Sequence, residues 1–265
     1  MSAQQQVAIS LNTDIGEGFG VWTITDDDRL LELVSDANLA CGFHAGDPDI
    51  IRATCATAAR LGVAVGAQVG YADLRGFGRR VIDVPAASIT NDIVYQVGAV
   101  RAFCEIEGLT LSYVKIHGAL YHAAVQRPDY HEALADAITL MGADLPVMCQ
   151  PGTSLAATLA ARGCRTIREG YLDRAYRADG LLVPRSEEGA MVVDPEVVAA
   201  RAVQFAVEGT VRTIEGETIA MEVDSLCIHS DSPGAIELAA AARQALDAAG
   251  IEVRGIGATA ANADQ

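Results

Sequence analysis

Residues 111–122, LSYVKIHGALYH, decide the fold that the sequence predicts. The first six residues form an apolar run of strand length, and Lys115 and His117 stand where that strand ends. In α/β barrels and in open α/β sheets, functional sites form at the carboxyl ends of the strands. The stretch therefore predicts a strand that carries an amine and an imidazole to a functional edge.

The same pattern, an apolar run followed by polar residues and then a helical segment, recurs along the chain. The predicted strands are 7–12, 36–43, 63–67, 111–116, 145–149, 164–168 and 225–229. The predicted helices lie near 26–35, 48–61, 86–107, 129–141, 152–162, 194–208 and 232–249. Residues 211–224, with Glu215-Gly216 near their centre, predict a small hairpin. Strand followed by helix about seven times indicates a parallel sheet covered by helices.

Polar residues at the predicted strand ends favour one of the two architectures that fit this order. Because they collect on one rim, an α/β fold of the (β/α) barrel-like type, incomplete or distorted, is preferred to a doubly wound open sheet. A chain of 265 residues fits one such barrel. No linker, low-complexity tract or fixed repeat is visible, so residues 1–265 are predicted to form a single domain with a frayed tail at 256–265.

Composition restricts the partners and the compartment. The net charge is −16, and phosphate contacts need clustered Lys and Arg, so neither nucleic acid nor an anionic membrane is expected as a partner. The start MSAQQQVAISLN lacks a charged n-region and an apolar h-region, and no apolar run approaches the roughly 20 residues of a membrane-spanning helix. The six cysteines form no CxxC pair. A cytoplasmic protein is therefore expected.

Lys115 is the only lysine in the chain, since every other residue of the Lys and Arg class is an arginine. An ammonium is compact with rotating donors, whereas a guanidinium is a wide planar fork. A site that needs a compact cation would keep a lysine there. The alternative is an accident of composition.

Three of the five histidines, His44, His117 and His229, follow predicted strands, which predicts an active site on that rim. Some candidates also have a structural explanation. Asp47 can cap a helix, Asp14 can order a glycine-rich turn, and His44 or His229 can be structural. The strand-end candidates are Asn12, Asp14, Glu17, His44, Asp47, Gln68, Arg79, Lys115, His117, His229 and Asp231.

Six motifs resemble, in order and spacing, the LamB/YcsF family. They are LNTDIGEG, ANLACGFHAGDP, GFGRR, VKIHGALY, DRAYRADGLLVPRS and IHSDSPGA, over roughly residues 7–254. The resemblance implies a (β/α) barrel-like fold related to glycoside hydrolases and polysaccharide deacetylases. The family's characterised role is that of the A subunit of the bacterial ATP-dependent 5-oxoprolinase. It implies hydrolysis of the lactam of 5-oxoproline (pyroglutamate) to L-glutamate together with the B and C subunits.

Three motifs that the sequence lacks exclude some classes of active site. The chain has no GxxxxGK[ST] loop, which fits the implication that ATP is handled largely by partner subunits. The absence of HExxH and GxSxG excludes zincin proteases and α/β hydrolases with a serine elbow.

The chemical demands of lactam hydrolysis suggest roles for the residues at the predicted strand ends. Lys115 would supply a cation for a carboxylate or phosphate, and Asp14 and His44 would position or deprotonate water. His117 or His229 would protonate the departing nitrogen. The expected substrate-binding residues are Glu17, Asp47, Gln68, Arg79, Arg185 and Asp231.

One position departs from the family's pattern, because this chain reads GAQVGYAD where many members read GAHPSYPD, so that Gln68 replaces a histidine. Related deacetylases hold a divalent metal with one aspartate and two histidines, here Asp14 and His44, with His117 as the candidate third ligand. An amide oxygen is a poor zinc ligand, so a tightly bound metal is not expected. Two alternatives stay open: a stand-alone metal-dependent deacetylase or amidohydrolase, and a non-catalytic scaffolding subunit.

Overall fold

The computed structural model describes residues 8–142 and 145–256. Within these ranges the chain forms ten strands and eight α-helices. The strands are β1 (Ala8–Ile15), β2 (Asp36–Ala40), β3 (Ala64–Val69), β4 (Leu111–Ile116), β5 (Val147–Cys149), β6 (Thr166–Tyr171), β7 (Thr210–Arg212), β8 (Thr218–Ala220), β9 (Ser225–Ile228) and β10 (Glu252–Val253). The helices are α1 (Asp27–Leu31), α2 (Pro48–Leu61), α3 (Ala86–Ile106), α4 (Gly118–Gln126), α5 (Pro128–Leu140), α6 (Ser154–Ala161), α7 (Pro195–Glu208) and α8 (Ala235–Ala248). The predicted frayed tail lies outside the described residues from position 257 onward, as does residue 7 of the first predicted strand.

Seven of the described strands close into a parallel barrel in the order β1-β2-β3-β4-β5-β6-β9, and β9 pairs back onto β1. In this closing pair, residues 10–13 lie opposite residues 225–228. Each of the seven corresponds to a predicted strand, so the (β/α) barrel-like fold is confirmed. β10 pairs with the start of β1, and β7 and β8 form the predicted hairpin.

Several element ends differ from the prediction. β1 continues to Ile15 and β6 to Tyr171, so that Asp14 and Glu169 lie inside strands rather than in the loops that follow. The sequence does not predict α4, which is separated from α5 by Arg127 in extended backbone. A residue before proline is pushed toward the extended conformation, and the helical stretch breaks there into two helices.

The alternation of side chains along β4 separates two layers of the fold. Val114 belongs to the apolar core between the barrel and its helices, whereas Tyr113 packs with Met148 and Ile167 in a second cluster. Successive residues of a strand face opposite sides of the sheet. Tyr113 and Lys115 therefore face the barrel interior.

Much of the barrel interior is polar. Ser10 donates a hydrogen bond to Asp36 at 2.6 Å, and the Asn12 amide donates to the Ser225 hydroxyl at 2.7 Å. The Asn38 amide donates in turn to Asn12 Oδ1 at 2.7 Å. Buried polar groups are costly unless they are hydrogen-bonded, so this network stabilises a polar interior. It leads along β1 and β2 toward their carboxyl ends.

The helices cover the outside of the barrel, with α3 packed on α5 and α7 packed on α8. In the part of the chain that the structure describes, no helix has the length together with the apolar character that crossing a bilayer requires.

Candidate active site

A cleft with a volume of about 630 Å³ opens at the carboxyl ends of the barrel strands. Its wall combines strand residues with residues of the loops that follow β3 and β6. The predicted site residues in this wall are Asp14, Gln68, Arg79, Lys115, His117, Arg185 and His229. The structure thus brings into one cavity side chains that are far apart in the sequence.

Lys115 is almost fully buried in this wall and is surrounded by acceptor atoms. Its Nζ lies 2.8 Å from Glu169 Oε1 and 3.1 Å from Asp14 Oδ1. It also lies 3.1 Å from Cys227 Sγ and 3.5 Å from Asn12 Oδ1. The Glu169 contact is an ion pair without hydrogen-bond alignment, since Oε1 has no hydrogen-bond partner. A compact ammonium can meet four acceptors around one point, whereas a planar guanidinium cannot.

The two charges of the Lys115–Asp14 pair support each other. Burial lowers the pKa of Lys115, but attraction to Asp14 and Glu169 outweighs it and holds this pKa well above its ordinary value. Burial raises the pKa of Asp14, but attraction to Lys115, followed by attraction to His229, outweighs it, so the pKa is lowered. At neutral pH the pair is therefore an ammonium and a carboxylate.

His229, which follows β9, is held by a buried carboxylate. Its Nδ1 lies 2.9 Å from Asp173 Oδ2, and its backbone N–H donates to the same oxygen at 3.1 Å. The hydroxyl of Ser232 also donates to this oxygen. Burial raises the pKa of Asp173, but the charge and hydrogen bonds of His229 lower it below its ordinary value. The ionised Asp173 therefore fixes a proton on Nδ1, which leaves Nε2 to exchange protons.

Glu17, His44 and His117 form a second, buried group, and of these three residues only His117 lines the cleft. One ligand atom from each lies within 4.8 Å of the others, and the two imidazole rings stack with centroids 3.9 Å apart. Glu17 Oε1 and both ring nitrogens of His44 are buried without a hydrogen-bond partner. Two imidazoles and a carboxylate are a donor set that Zn²⁺ accepts, and a metal would satisfy the unpartnered atoms. The group therefore fits a divalent metal.

Hydrogen bonds set the orientation of His117 in this group. Its Nε2 donates to the carbonyl oxygen of Phe77 at 2.9 Å, so Nδ1 is an acceptor. Gln68 Nε2 donates to that Nδ1 at 3.0 Å, while Gln68 Oε1 is buried without a partner. Burial, followed by repulsion from His44, lowers the pKa of His117 well below its ordinary value, so the ring is neutral. Gln68 and a metal ion would compete for the same lone pair.

The loop after β3 packs directly on the two stacked histidines. Phe77 adopts a left-handed φ of 53°, and its ring meets both imidazoles edge-on. At Gly78, with φ 65°, an added Cβ would lie 2.8 Å from His44 Cβ and 3.0 Å from His117 Cδ2. Only glycine fits both the backbone and the space. The motif GFGRR therefore contains a glycine where this loop packs against the two histidines.

Some predicted site residues lie at the rim or away from the cleft. Asp231 bridges two arginines of the rim, 2.7 Å from Arg79 Nη2 and 3.7 Å from Arg185 Nη1. Asp47 does not line the cleft, because it caps α2 and its carboxylate accepts from three backbone N–H groups. This is the structural explanation that the sequence left open for it.

Asp14 does not belong to the candidate metal group, although the sequence named it with His44 as a metal ligand. Its Oδ1 accepts from Lys115 and Asn38, and Glu17 supplies the carboxylate beside His44 instead. Both Asp14 and Glu17 stand at the end of β1, and the sequence alone does not reveal which of them turns toward the histidines.

The sequence reasoning missed Glu169, Asp173 and Arg174 as site residues. Glu169 lies two residues from Tyr171 in a strand, so the alternation of side chains places both on the barrel interior. That signal was present in TIREGY, but the strand was predicted to end at residue 168. Asp173 and Arg174 stand in the motif DRAYRADG without a spacing that marks their roles.

Comparison with known proteins identifies relatives that match this chain over most of its length. The sequence profile of the LamB/YcsF family matches residues 9–261. The A subunit of a 5-oxoprolinase from Streptomyces coelicolor is 49% identical over 252 residues, which cover 95% of this chain and 100% of that protein. The corresponding protein from Mycobacterium avium is 49% identical over 246 residues, which cover 93% and 98%. A solved lactam utilization protein from Thermus thermophilus superposes with a TM-score of 0.90 at 42% identity, covering 94% of this chain and 99% of that one.

Proposed function

The chain belongs to the LamB/YcsF family, and from this premise we propose that it is the A subunit of an ATP-dependent 5-oxoprolinase, a hydrolase that opens the lactam of 5-oxoproline to L-glutamate. The observation that carries the proposal is one cleft whose wall contains Asp14, Lys115 and His229. Asp14 supplies a carboxylate that can orient water, Lys115 keeps this carboxylate ionised, and His229 supplies a proton carrier. The names of the relatives supply the substrate.

Opening a five-membered lactam sets three demands on a site. The amide is stabilised by resonance, so water has to be positioned and deprotonated for attack. The charge that develops on the carbonyl oxygen has to be stabilised, and the departing nitrogen needs a proton.

His229 is our candidate for the proton transfers. The Asp173 carboxylate holds its Nδ1, which leaves Nε2 to take a proton from water and to give it to the departing nitrogen. The buried carboxylate also stabilises the imidazolium that forms in between. Among the described residues Asp14 Oδ2 accepts no hydrogen bond, so this oxygen is available to orient the attacking water.

For Lys115 we propose a role different from the anion binding that we expected from the sequence. Its Nζ is already engaged by two carboxylates, Asp14 and Glu169. It therefore acts as a positioning residue, which keeps Asp14 ionised and turned toward the cleft. A compact ammonium suits this task because both carboxylates approach the same atom.

Glu17, His44 and His117 are the residues that would hold a divalent metal. When bound, such an ion supplies Lewis-acid polarisation of a carbonyl oxygen. All three side chains are buried, so they would shield such an ion from bulk water.

The relatives are named as one subunit of an enzyme, which supports the proposal that this chain acts within a complex. We propose the B and C subunits of 5-oxoprolinase as its partners. ATP would be bound largely by those partners, because this chain has no GxxxxGK[ST] loop. We propose further that residues 1–265 act as one cytoplasmic hydrolase domain.

Reconstitution tests the proposed function. The chain is mixed with candidate partner subunits, and glutamate release from 5-oxoproline is followed with and without ATP. Release is expected in the complete mixture with ATP. His229→Gln should lower the rate by about 10²- to 10⁴-fold, the usual contribution of a general acid or base. The matched control is His131→Gln, a buried histidine of α5 that contacts Thr158 outside the cleft wall. A complete mixture that releases no glutamate contradicts the proposal.

The group Glu17, His44 and His117 favours a second candidate, a metal-dependent amidohydrolase that acts without ATP or partners. This candidate predicts stoichiometric metal in the purified chain and amide hydrolysis by the chain alone. Hydrolysis that survives a chelator, or that requires ATP, counts against it.

A further inference from the structure

Arg174 lies in the cleft wall just after β6, with only 4% of its surface exposed. Its Nη2 donates to the carbonyl of Val183 at 2.6 Å, and its Nε is buried without a partner. Among the described residues no carboxylate forms an ion pair with it. A buried guanidinium without a counter-charge is costly, because burial removes water and one neutral carbonyl does not balance a full positive charge.

Lys115 provides a direct contrast in the same cleft. It is buried to a similar extent, but two carboxylates lie within 3.1 Å of its Nζ. The neighbouring Asp173 does not neutralise Arg174 in this way, because His229 and Ser232 hold its oxygens. Among the described residues Arg174 is therefore left without a carboxylate that is free to pair with it.

A second arginine, Arg185, and the imidazole of His122 lie in the same wall. Burial, followed by repulsion from Arg185, lowers the pKa of Arg174. Burial, followed by repulsion from Arg174 and Arg185, lowers the pKa of His122. The acidic neighbour Asp231 lies 3.7 Å from Arg185 but is shared with Arg79. In a chain with a net charge of −16, this concentration of positive groups is an exception.

We propose that Arg174, together with Arg185, forms an anion subsite that binds the carboxylate of the lactam substrate. The identity of this ligand rests on the proposed function, whereas the existence of the subsite rests on the unpaired guanidinium. The planar fork of an arginine matches the two oxygens of a carboxylate. A phosphoryl group shares this chemistry, so the test has to separate the two sources.

The test compares ligands with and without the carboxylate by titration calorimetry on the chain in its reconstituted complex. The probes are 5-oxoproline, 2-pyrrolidinone (the same ring without the carboxylate), acetate and inorganic phosphate. Arg174→Gln should weaken 5-oxoproline binding by about 10- to 100-fold, which is the usual effect of losing a hydrogen bond to a charged group. Binding of 2-pyrrolidinone should not change.

Two further variants guard against a loss of structure. Arg177→Gln is the matched control on the same loop, because Arg177 pairs with Glu187 outside the cleft wall and its loss should change neither affinity. Arg174→Lys keeps the charge but not the fork, so 5-oxoproline binding should fall between the wild type and Arg174→Gln. Melting temperatures of all variants are measured in parallel.

The outcomes separate the subsite from the proposed function. If the wild-type complex hydrolyses 5-oxoproline and Arg174→Gln binds it as tightly as the wild type, the subsite is wrong and the function stands. If 5-oxoproline does not bind but acetate binding depends on Arg174, the function is wrong and the subsite stands. Dependence of phosphate binding alone overturns the carboxylate assignment in favour of a phosphoryl group.

Discussion

Replacement of Lys115 by methionine removes a buried cation while it keeps an unbranched side chain. Asp14 and Glu169, which are 2% and 1% exposed, are then left as two buried carboxylates without a counter-charge. Breaking a buried ion pair from one side costs about 3–5 kcal/mol, and here one ammonium serves two carboxylates. We therefore expect the free energy of unfolding at pH 7 to fall by about 5 kcal/mol.

Urea unfolding followed by circular dichroism measures this loss. Without the ammonium, burial is no longer opposed and raises the pKa of the Asp14 carboxyl group, so this group takes up a proton as the pH falls. The difference in unfolding free energy between wild type and Lys115→Met should therefore become smaller as the pH is lowered from 7 to 5. The double variant Lys115→Met/Glu169→Gln should lose less stability than Lys115→Met alone. A deficit below about 1 kcal/mol with no pH dependence would refute the buried charge cluster.

Three further predictions concern the site and the barrel interior. Asp173→Asn should lower kcat of the reconstituted complex by about 10²- to 10⁴-fold without a comparable change in KM, because the carboxylate that fixes the His229 tautomer is lost. An unchanged kcat would contradict a catalytic role for the Asp173–His229 pair. Burial raises the pKa of Asp36 to about 6 against hydrogen bonds that lower it, so its stabilising contribution is complete below about pH 4 and is lost as the pH rises through 6. The difference in unfolding free energy between wild type and Asp36→Asn should therefore change by about 3 kcal/mol from pH 4 to pH 8, and identical pH profiles would contradict the shift. Calorimetric titration with Zn²⁺ or Mn²⁺ should show one site that His44→Asn removes and Gln68→Ala strengthens, whereas equal binding by all three proteins would place the metal elsewhere.

The seven barrel strands could be predicted because each contains an apolar run that packs against the helices. The carboxyl ends of β1 and β6 could not be placed, because the residues there face a polar barrel interior. Asp14 and Glu169 resemble loop residues in the sequence, but the hydrogen-bonded interior accommodates them inside β1 and β6. Prediction of the strand therefore failed where the site begins.

The sequence predicted that the site residues meet in one cleft, because functional sites form at the carboxyl ends of barrel strands. It did not predict which of these residues pair with one another. Lys115 contacts Glu169 because β4 and β6 both point these side chains into the interior of the closed barrel. The sequence contains no signal for that contact. The solitary lysine did indicate a need for a compact cation, and its four surrounding acceptors give the physical reason. Arg174 was missed because its significance lies in the lack of a carboxylate partner among the described residues, which only the three-dimensional structure reveals.

The most direct test of the role of Lys115 is the rate of glutamate release from 5-oxoproline by the complex that carries Lys115→Arg, with ATP present. Guanidinium keeps the positive charge but cannot gather Asp14 and Glu169 around one atom, so we predict that turnover is abolished while the circular dichroism spectrum stays that of the wild type. Near-normal turnover in this variant would mean that the solitary amine does not organise the cleft.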